Sequence, residues 1–320
     1  MQLCGWGANF NDDIGATLLV GVALELKLRK SSGDAFQDFF SNVMAAANGS
    51  DFVRVRAYGA LGDKGCDGYL NSLGQVFQCY GSVGTQESKV AYLVKKMGDD
   101  FANALNALPQ LMKEWHMVHN FVDGLPISAV EKLNKITAEN KDRKFGFIGM
   151  EGFEERIFAL ELYKIEKLLG IIPSGLDAQN LQPTELRDLV AEVAASAEEV
   201  KFDLSAIRPV PPDKLEFNKL PNHWTALIAG GWQNAHHVKN YLDRHHDPLL
   251  GEHIAQAFRV KYQYLKSQNL APGTVMTSLY EMVTGKGHVT PQRQVAAQAL
   301  IAHLFEACDI FETPSTEAVH

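Results

Sequence analysis

One aspartate stands out by its setting. Asp67 lies in the run DFVRVRAYGALGDKGCDGYLNSLGQVFQCYG, residues 51–81. Phe52, Val53 and Val55 are β-formers, with Arg54 and Arg56 interleaved on the opposite face. Gly59, Gly62 and Gly65 then punctuate a loop before Tyr69 and Leu70 restart a strand, and Val76 to Tyr80 is a short apolar run of the kind a buried strand shows. Strands paired through such a loop set Asp67 and Gln78 on adjacent strand ends. A carboxylate and an amide oxygen are hard ligands that suit Mg²⁺ or Mn²⁺, and a metal held there polarises a phosphate and acidifies a bound water. As a metal site the set is sparse, with one carboxylate and neutral amides. Lys64 and Lys89 flank it and offer positive charge. Arg54 and Arg56 read two ways, as contacts to a phosphate backbone or as the solvent face of an alternating strand.

Other residues that could do chemistry are less organised. His236-His237, His245-His246 and His253 fall on helical stretches whose periodicity spreads them over several faces, unlike the tight spacing of a structural zinc site. Cys4, Cys66, Cys79 and Cys308 show no C-x-x-C pairing, which disfavours zinc and a disulfide framework. No G-x-S-x-G elbow and no G-x-x-x-x-G-K phosphate loop occurs, so no nucleotide cofactor is expected on this chain.

The elements that must position Asp67 follow from periodicity. Residues 1–14 read as an irregular arm, and Ala16 to Lys30 as a helix with its basic residues in the last turn. Ala35 to Ala47 places Phe36, Phe39, Phe40, Val43 and Met44 on one helical face. Gln86 to Leu108 is a long amphipathic helix, followed by the strand WHMVHN, a helix over Ser128–Glu139, the strand KFGFIG and a helix over Met150–Leu169. This is an α/β order whose later strands are expected to run parallel through crossovers. Residues 170–182 read as loop and Pro183 to Val200 as helix, and Arg208-Pro209-Val210-Pro211-Pro212 as an extended linker. Beyond it only helices are expected: Asn222–Ala229, Ala235–His245, Pro248–Gln268, Gly273–Thr284 and Pro291–Phe311.

The domain reading is therefore an α/β domain over 1–170, a connector over 171–212, an all-α interaction domain over 213–313 and a tail over 314–320. With 46% hydrophobic and 21% charged residues in 320, the composition is that of a globular protein. The longest apolar run, Ala16–Leu24, falls short of a membrane span of about 18 residues, and Asp12 and Asp13 disfavour a signal peptide. A reducing cytoplasm fits the cysteines. The net charge of −8 disfavours a protein coated in nucleic acid and leaves room for a local basic groove.

Two resemblances sharpen the expectation. Gly65-Cys66-Asp67-Gly68 and Phe77-Gln78-Cys79-Tyr80 resemble the G-x-D and Q-x-K motifs of the restriction-endonuclease-like fold in its Mrr-type branch of PD-(D/E)xK nucleases, over roughly residues 30–170. The resemblance implies a mixed sheet flanked by helices and a Mg²⁺- or Mn²⁺-dependent nuclease, a phosphodiester hydrolase acting on DNA. It makes Asp67 and Gln78 the metal ligands and assigns catalytic places to Gln37, Tyr80 and Lys64. The pattern departs where the cation is expected: Tyr80 replaces the lysine and is neutral at pH 7, and Gln37 replaces the helix acid. A catalytically inactive adaptor or DNA-sensing subunit is the alternative. Around residues 210–313, KLEFN (214–218), Asp247-Pro248 and HLFEACDIFE (303–312) resemble a helical domain of ABC-three-component bacterial defence systems. That resemblance implies anti-phage or anti-plasmid defence beside an ABC/SMC-like ATPase partner, with homo-oligomerisation left open.

Overall fold

The computed structural model describes residues 10–56, 64–82, 87–195, 214–285, 289–307 and 310–312. They divide by internal packing into two units. One is Ala23–Gly170; the other combines the described residues up to Val22 with those from Ile171 onward. The first helix, α1 (Phe10–Lys30), contributes residues to both. It starts within the stretch expected to be an irregular arm. The proline-rich linker, Cys4, Cys308 and the tail after Glu312 lie outside the described residues.

The Ala23–Gly170 unit is an α/β fold around a five-stranded mixed sheet of order β1-β2-β3-β4-β5. The strands are β1 (Phe52–Arg54), β2 (Gly68–Leu70), β3 (Gln75–Tyr80), β4 (Glu114–His119) and β5 (Lys144–Ile148). β1, β2 and β3 pair antiparallel, whereas β3, β4 and β5 are parallel. The parallel pairs need crossovers, supplied by α3 (Glu87–Ala107) and α4 (Ile127–Glu139). Alternation along β3 and β4 sends side chains to two cores. Val76, Tyr80, Trp115 and Met117 pack with Leu93, Met97, Phe101 and Leu133 of α3 and α4. Phe77 turns the other way, into an aromatic cluster with Phe52 and with Phe40 of α2 (Gly33–Asn48), which in turn packs on Phe153 of α5 (Met150–Ile157). Residues 150–169, expected as one helix, form two. α5 stops at Phe158, Leu160 turns inward, and Glu161 is the extended N-cap of α6 (Leu162–Leu169).

The second unit is helical. Inside the expected loop, Ser174 and Asp177 form a reciprocal capping box that starts the short α7 (Gly175–Gln179). Then come α8 (Pro183–Ala195), α9 (Lys214–Phe217), α10 (Asn222–Asp243), α11 (Leu250–Ser267), α12 (Pro272–Thr284) and α13 (Pro291–Glu306). α10 is one helix where two were expected, because Gly230-Gly231 does not break it. Gly231 is where α13 approaches: a Cβ there would lie 2.3 Å from the carbonyl oxygen of Gln298. α13 ends at Glu306, short of Phe311, whose left-handed φ of 66° turns its ring back onto Phe305 and Tyr262. Among the described residues no helix is long and apolar enough to cross a membrane.

Candidate functional site

Asp67 sits where the antiparallel strands of the α/β unit begin. Lys64 and Gly65 turn the chain through left-handed conformations, φ 59° and 73°. Only glycine fits at 65, because a Cβ would stand 2.2 Å from the Asp100 carbonyl oxygen of α3. The backbone of Asp67 joins both neighbours: its N–H donates to the Phe77 carbonyl (2.8 Å), and its carbonyl accepts from the Val55 N–H (3.1 Å). Asp67 directly precedes Gly68, the first residue of β2, which pairs with Phe77.

The carboxylate of Asp67 is buried and both its oxygens are engaged. Oδ1 accepts from Gln37 Nε2 of α2 at 2.5 Å, and Oδ2 accepts the backbone N–H of Cys79 at 2.7 Å. The network continues outward. Gln37 Oε1 accepts from Arg56 (3.2 Å), Arg56 pairs with Asp38, and Arg54 bonds Asn42 (2.6 Å) and reaches Asp38 at 3.4 Å. Both arginines are thus tied to polar side chains of α2. The structure brings Gln37, Arg56 and Asp67 together, whereas Gln78 has no hydrogen bond to any of them; it is Cys79, the next residue, whose N–H reaches Asp67.

Lys64 is exposed. Tyr80 is a core residue: its ring stacks on Phe121 (centroids 6.0 Å) and its hydroxyl donates to the backbone carbonyl of Lys89 at 3.1 Å. Gln78 is 2% exposed, and its Oε1 has no hydrogen-bond partner among the described residues. Burial first, and then the charge of Asp67, raise the Cys79 thiol well above its ordinary range, which makes it unreactive.

Sequence reasoning missed Lys96. Its ammonium bonds Asp100 one turn on (2.6 Å). Burial pulls the Lys96 ammonium down, but the hydrogen bond and charge of Asp100, joined by the charges of Asp67 and Tyr92, outweigh it and push it up. The lysine is thus a charge felt at Asp67 from α3. Its i,i+4 spacing to Asp100 is visible in the sequence, but reads there as an ordinary surface pair.

The fit to a divalent cation is poor. The site offers one carboxylate, already holding two N–H donors, and one neutral amide oxygen, whereas Mg²⁺ demands near-octahedral oxygen coordination. Among the described residues no group of three or more His, Cys, Asp or Glu could hold a metal ion.

In the helical unit the two sequence pieces singled out above meet. Lys214 of α9 is 1% exposed; its Nζ donates to the Phe305 carbonyl in the last turn of α13 (2.7 Å) and lies 4.2 Å from that ring's centroid. Asn218 clasps Glu312 reciprocally, its Nδ2 donating to the Glu312 carbonyl (2.8 Å) and its Oδ1 accepting the Glu312 N–H (2.9 Å). The two ends of the segment from α9 to Glu312 are therefore stitched together. Residues 184–312 match the family described as C-terminal domain 10 of the ABC-three component (ABC-3C) systems. No curated protein and no solved structure matches the chain. The family match covers helices α8 to α13 and does not reach the α/β unit.

Proposed function

We propose that this chain is a non-catalytic component of a defence complex of the ABC-three-component type. In this reading its C-terminal helices dock the partner ATPase, and its α/β unit is a nuclease-like scaffold that serves as adaptor or DNA sensor. The family match over 184–312 supports the complex. The engagement of both Asp67 oxygens supports the loss of chemistry. With Gln37 in place of an acid and Tyr80 in place of a cation, the network reads as a latch between α2 and the strand ends. Phosphodiester hydrolysis would need that latch opened and a metal held by few ligands.

A second reading, a metal-dependent nuclease, draws support from two observations: the unpartnered buried Gln78 Oε1 and the charge of Lys96 near Asp67. The two separate in one assay. The purified chain, alone and with its partner ATPase and ATP, is incubated with plasmid DNA and Mg²⁺ or Mn²⁺, beside Asp67→Ala. The adaptor reading expects no cleavage by either protein. Cleavage by the native chain that Asp67→Ala abolishes would overturn it.

A further inference from the structure

The helical unit contains a cleft. The first turn of α8, the last turns of α10 and the segment after α10 enclose a cavity of about 560 Å³. Leu181, Pro183 and Leu186 form one wall. The opposite wall carries donors: His237, Asn240, Tyr241, Arg244, His245 and His246.

No lining residue is acidic, although the chain as a whole carries a net charge of −8. The acids of the adjoining turn are committed elsewhere: Asp243 pairs with Lys239 at 2.6 Å, and Asp247 bonds the Leu249 N–H at 2.9 Å and lies 3.6 Å from His253. Arg244 pairs with no carboxylate among the described residues, so its fork of donors is available. The Nδ1 of His245 accepts the Asp247 N–H at 3.1 Å, which fixes its tautomer and leaves Nε2 as the donor. Burial, and then the neighbouring His236, lower His237, so it meets a ligand as a neutral N–H donor. The first turn of α8 closes the cleft with Pro183 and Leu186, and its Glu185 is not among the lining residues.

We infer that this cleft binds a phosphorylated small molecule of nucleotide size, with its phosphate on Arg244 and the histidines and its less polar part against Leu186 and Tyr241. The volume lies within the range of about 300–1,000 Å³ usual for small-ligand sites. The cluster is short of the carboxylates and thiolates that a metal would want, so an anion is the matching ligand. The inference is independent of the fate of the Asp67 site.

The test is calorimetric titration of the full chain with ADP, with inorganic phosphate and with an oligo-glutamate peptide, repeated on Arg244→Glu and His246→Ala. Both residues are exposed, and a melting curve verifies that each variant folds. The expected result is ADP binding that weakens about tenfold or more in Arg244→Glu, as for loss of a charge-assisted contact. Three results would overturn it: no ADP binding by the native chain, ADP binding unchanged by Arg244→Glu, or phosphate or the peptide binding as tightly as ADP.

Discussion

Two adjacent glycines in α10 make a stringent test of the helical packing. A Cβ at Gly230 would meet nothing within 4 Å, whereas at Gly231 it would lie 2.3 Å from the Gln298 carbonyl oxygen and 2.9 Å from the Ala302 Cβ. The obstacle is helix backbone, which cannot step aside alone. Replacing a mid-helix glycine with alanine contributes about 1 kcal/mol through propensity. Gly230→Ala should show that gain in full. Gly231→Ala has the same gain opposed by overpacking, which costs about 1–3 kcal/mol and more where backbone must move. The contact joins α10 and α13, which between them bury Trp224, Leu227, Ile228, Leu300 and Ile301. The upper part of the range therefore applies, and the net effect is a loss of about 1–2 kcal/mol. The two neighbours should thus differ by about 2–3 kcal/mol with opposite signs, or roughly 5–10 °C in Tm for a unit of this size. Thermal and urea melts of the full chain followed by tryptophan fluorescence measure this, since Trp224 and Trp232 lie in α10. Equal stabilisation by both substitutions would refute the close α10–α13 approach.

At the Asp67 latch, Asp67→Asn turns a charged acceptor into a group whose NH₂ confronts that of Gln37. If Gln37 flips to compensate, Arg56 loses its acceptor. A loss of about 1–3 kcal/mol in urea unfolding is expected, and a neutral substitution would show the network to be idle. The α/β unit should weaken in acid. Burial lowers His119 to about 4, its Nδ1 accepts the Phe121 N–H, and the unfolded chain titrates near the ordinary value of 6.5. The unfolded state thus binds the extra proton first. Stability from this residue is complete above about pH 6.5 and falls as pH drops towards 4, by up to about 3 kcal/mol. Urea midpoints across that range, with His119→Gln flattening the dependence, check the sign. Finally, Cys66 and Cys79 are buried, and the Cys79 thiol is raised by burial, so neither should react with iodoacetamide until the unit unfolds. Rapid labelling at Cys79 in native protein would contradict its packing.

The strands around Asp67 were legible because alternation and glycine punctuation act locally. The parallel run of β3 to β5 followed from the crossover helices between them. What the sequence concealed depends on distant partners. The Gly230-Gly231 pair resembles a helix break, and only α13 explains why a glycine belongs there. The break between α5 and α6 left no mark, because Ile157, Leu160 and Ile165 continue an apolar rhythm across it. At the site, the placement of Asp67 at the start of β2 could be read from the glycine punctuation before it. The saturation of both carboxylate oxygens needed the position of α2, and the charge of Lys96 needed that of α3. The lining of the His-rich cleft was invisible for a similar reason. Helical periodicity scatters those histidines on their own element, and it is the start of α8 that closes the other wall.

The clasp of Lys214 and Asn218 onto Phe305 and Glu312 has a mechanical consequence. Tension arriving at α9 would pass through the lysine–carbonyl contact into the last turn of α13, and through the asparagine–backbone contacts into Glu312 beyond it, before reaching the helices between them. The helices from α9 to α13, closed in this way, resist being unravelled from either side. A pull on either end of this segment is therefore felt at both ends at once.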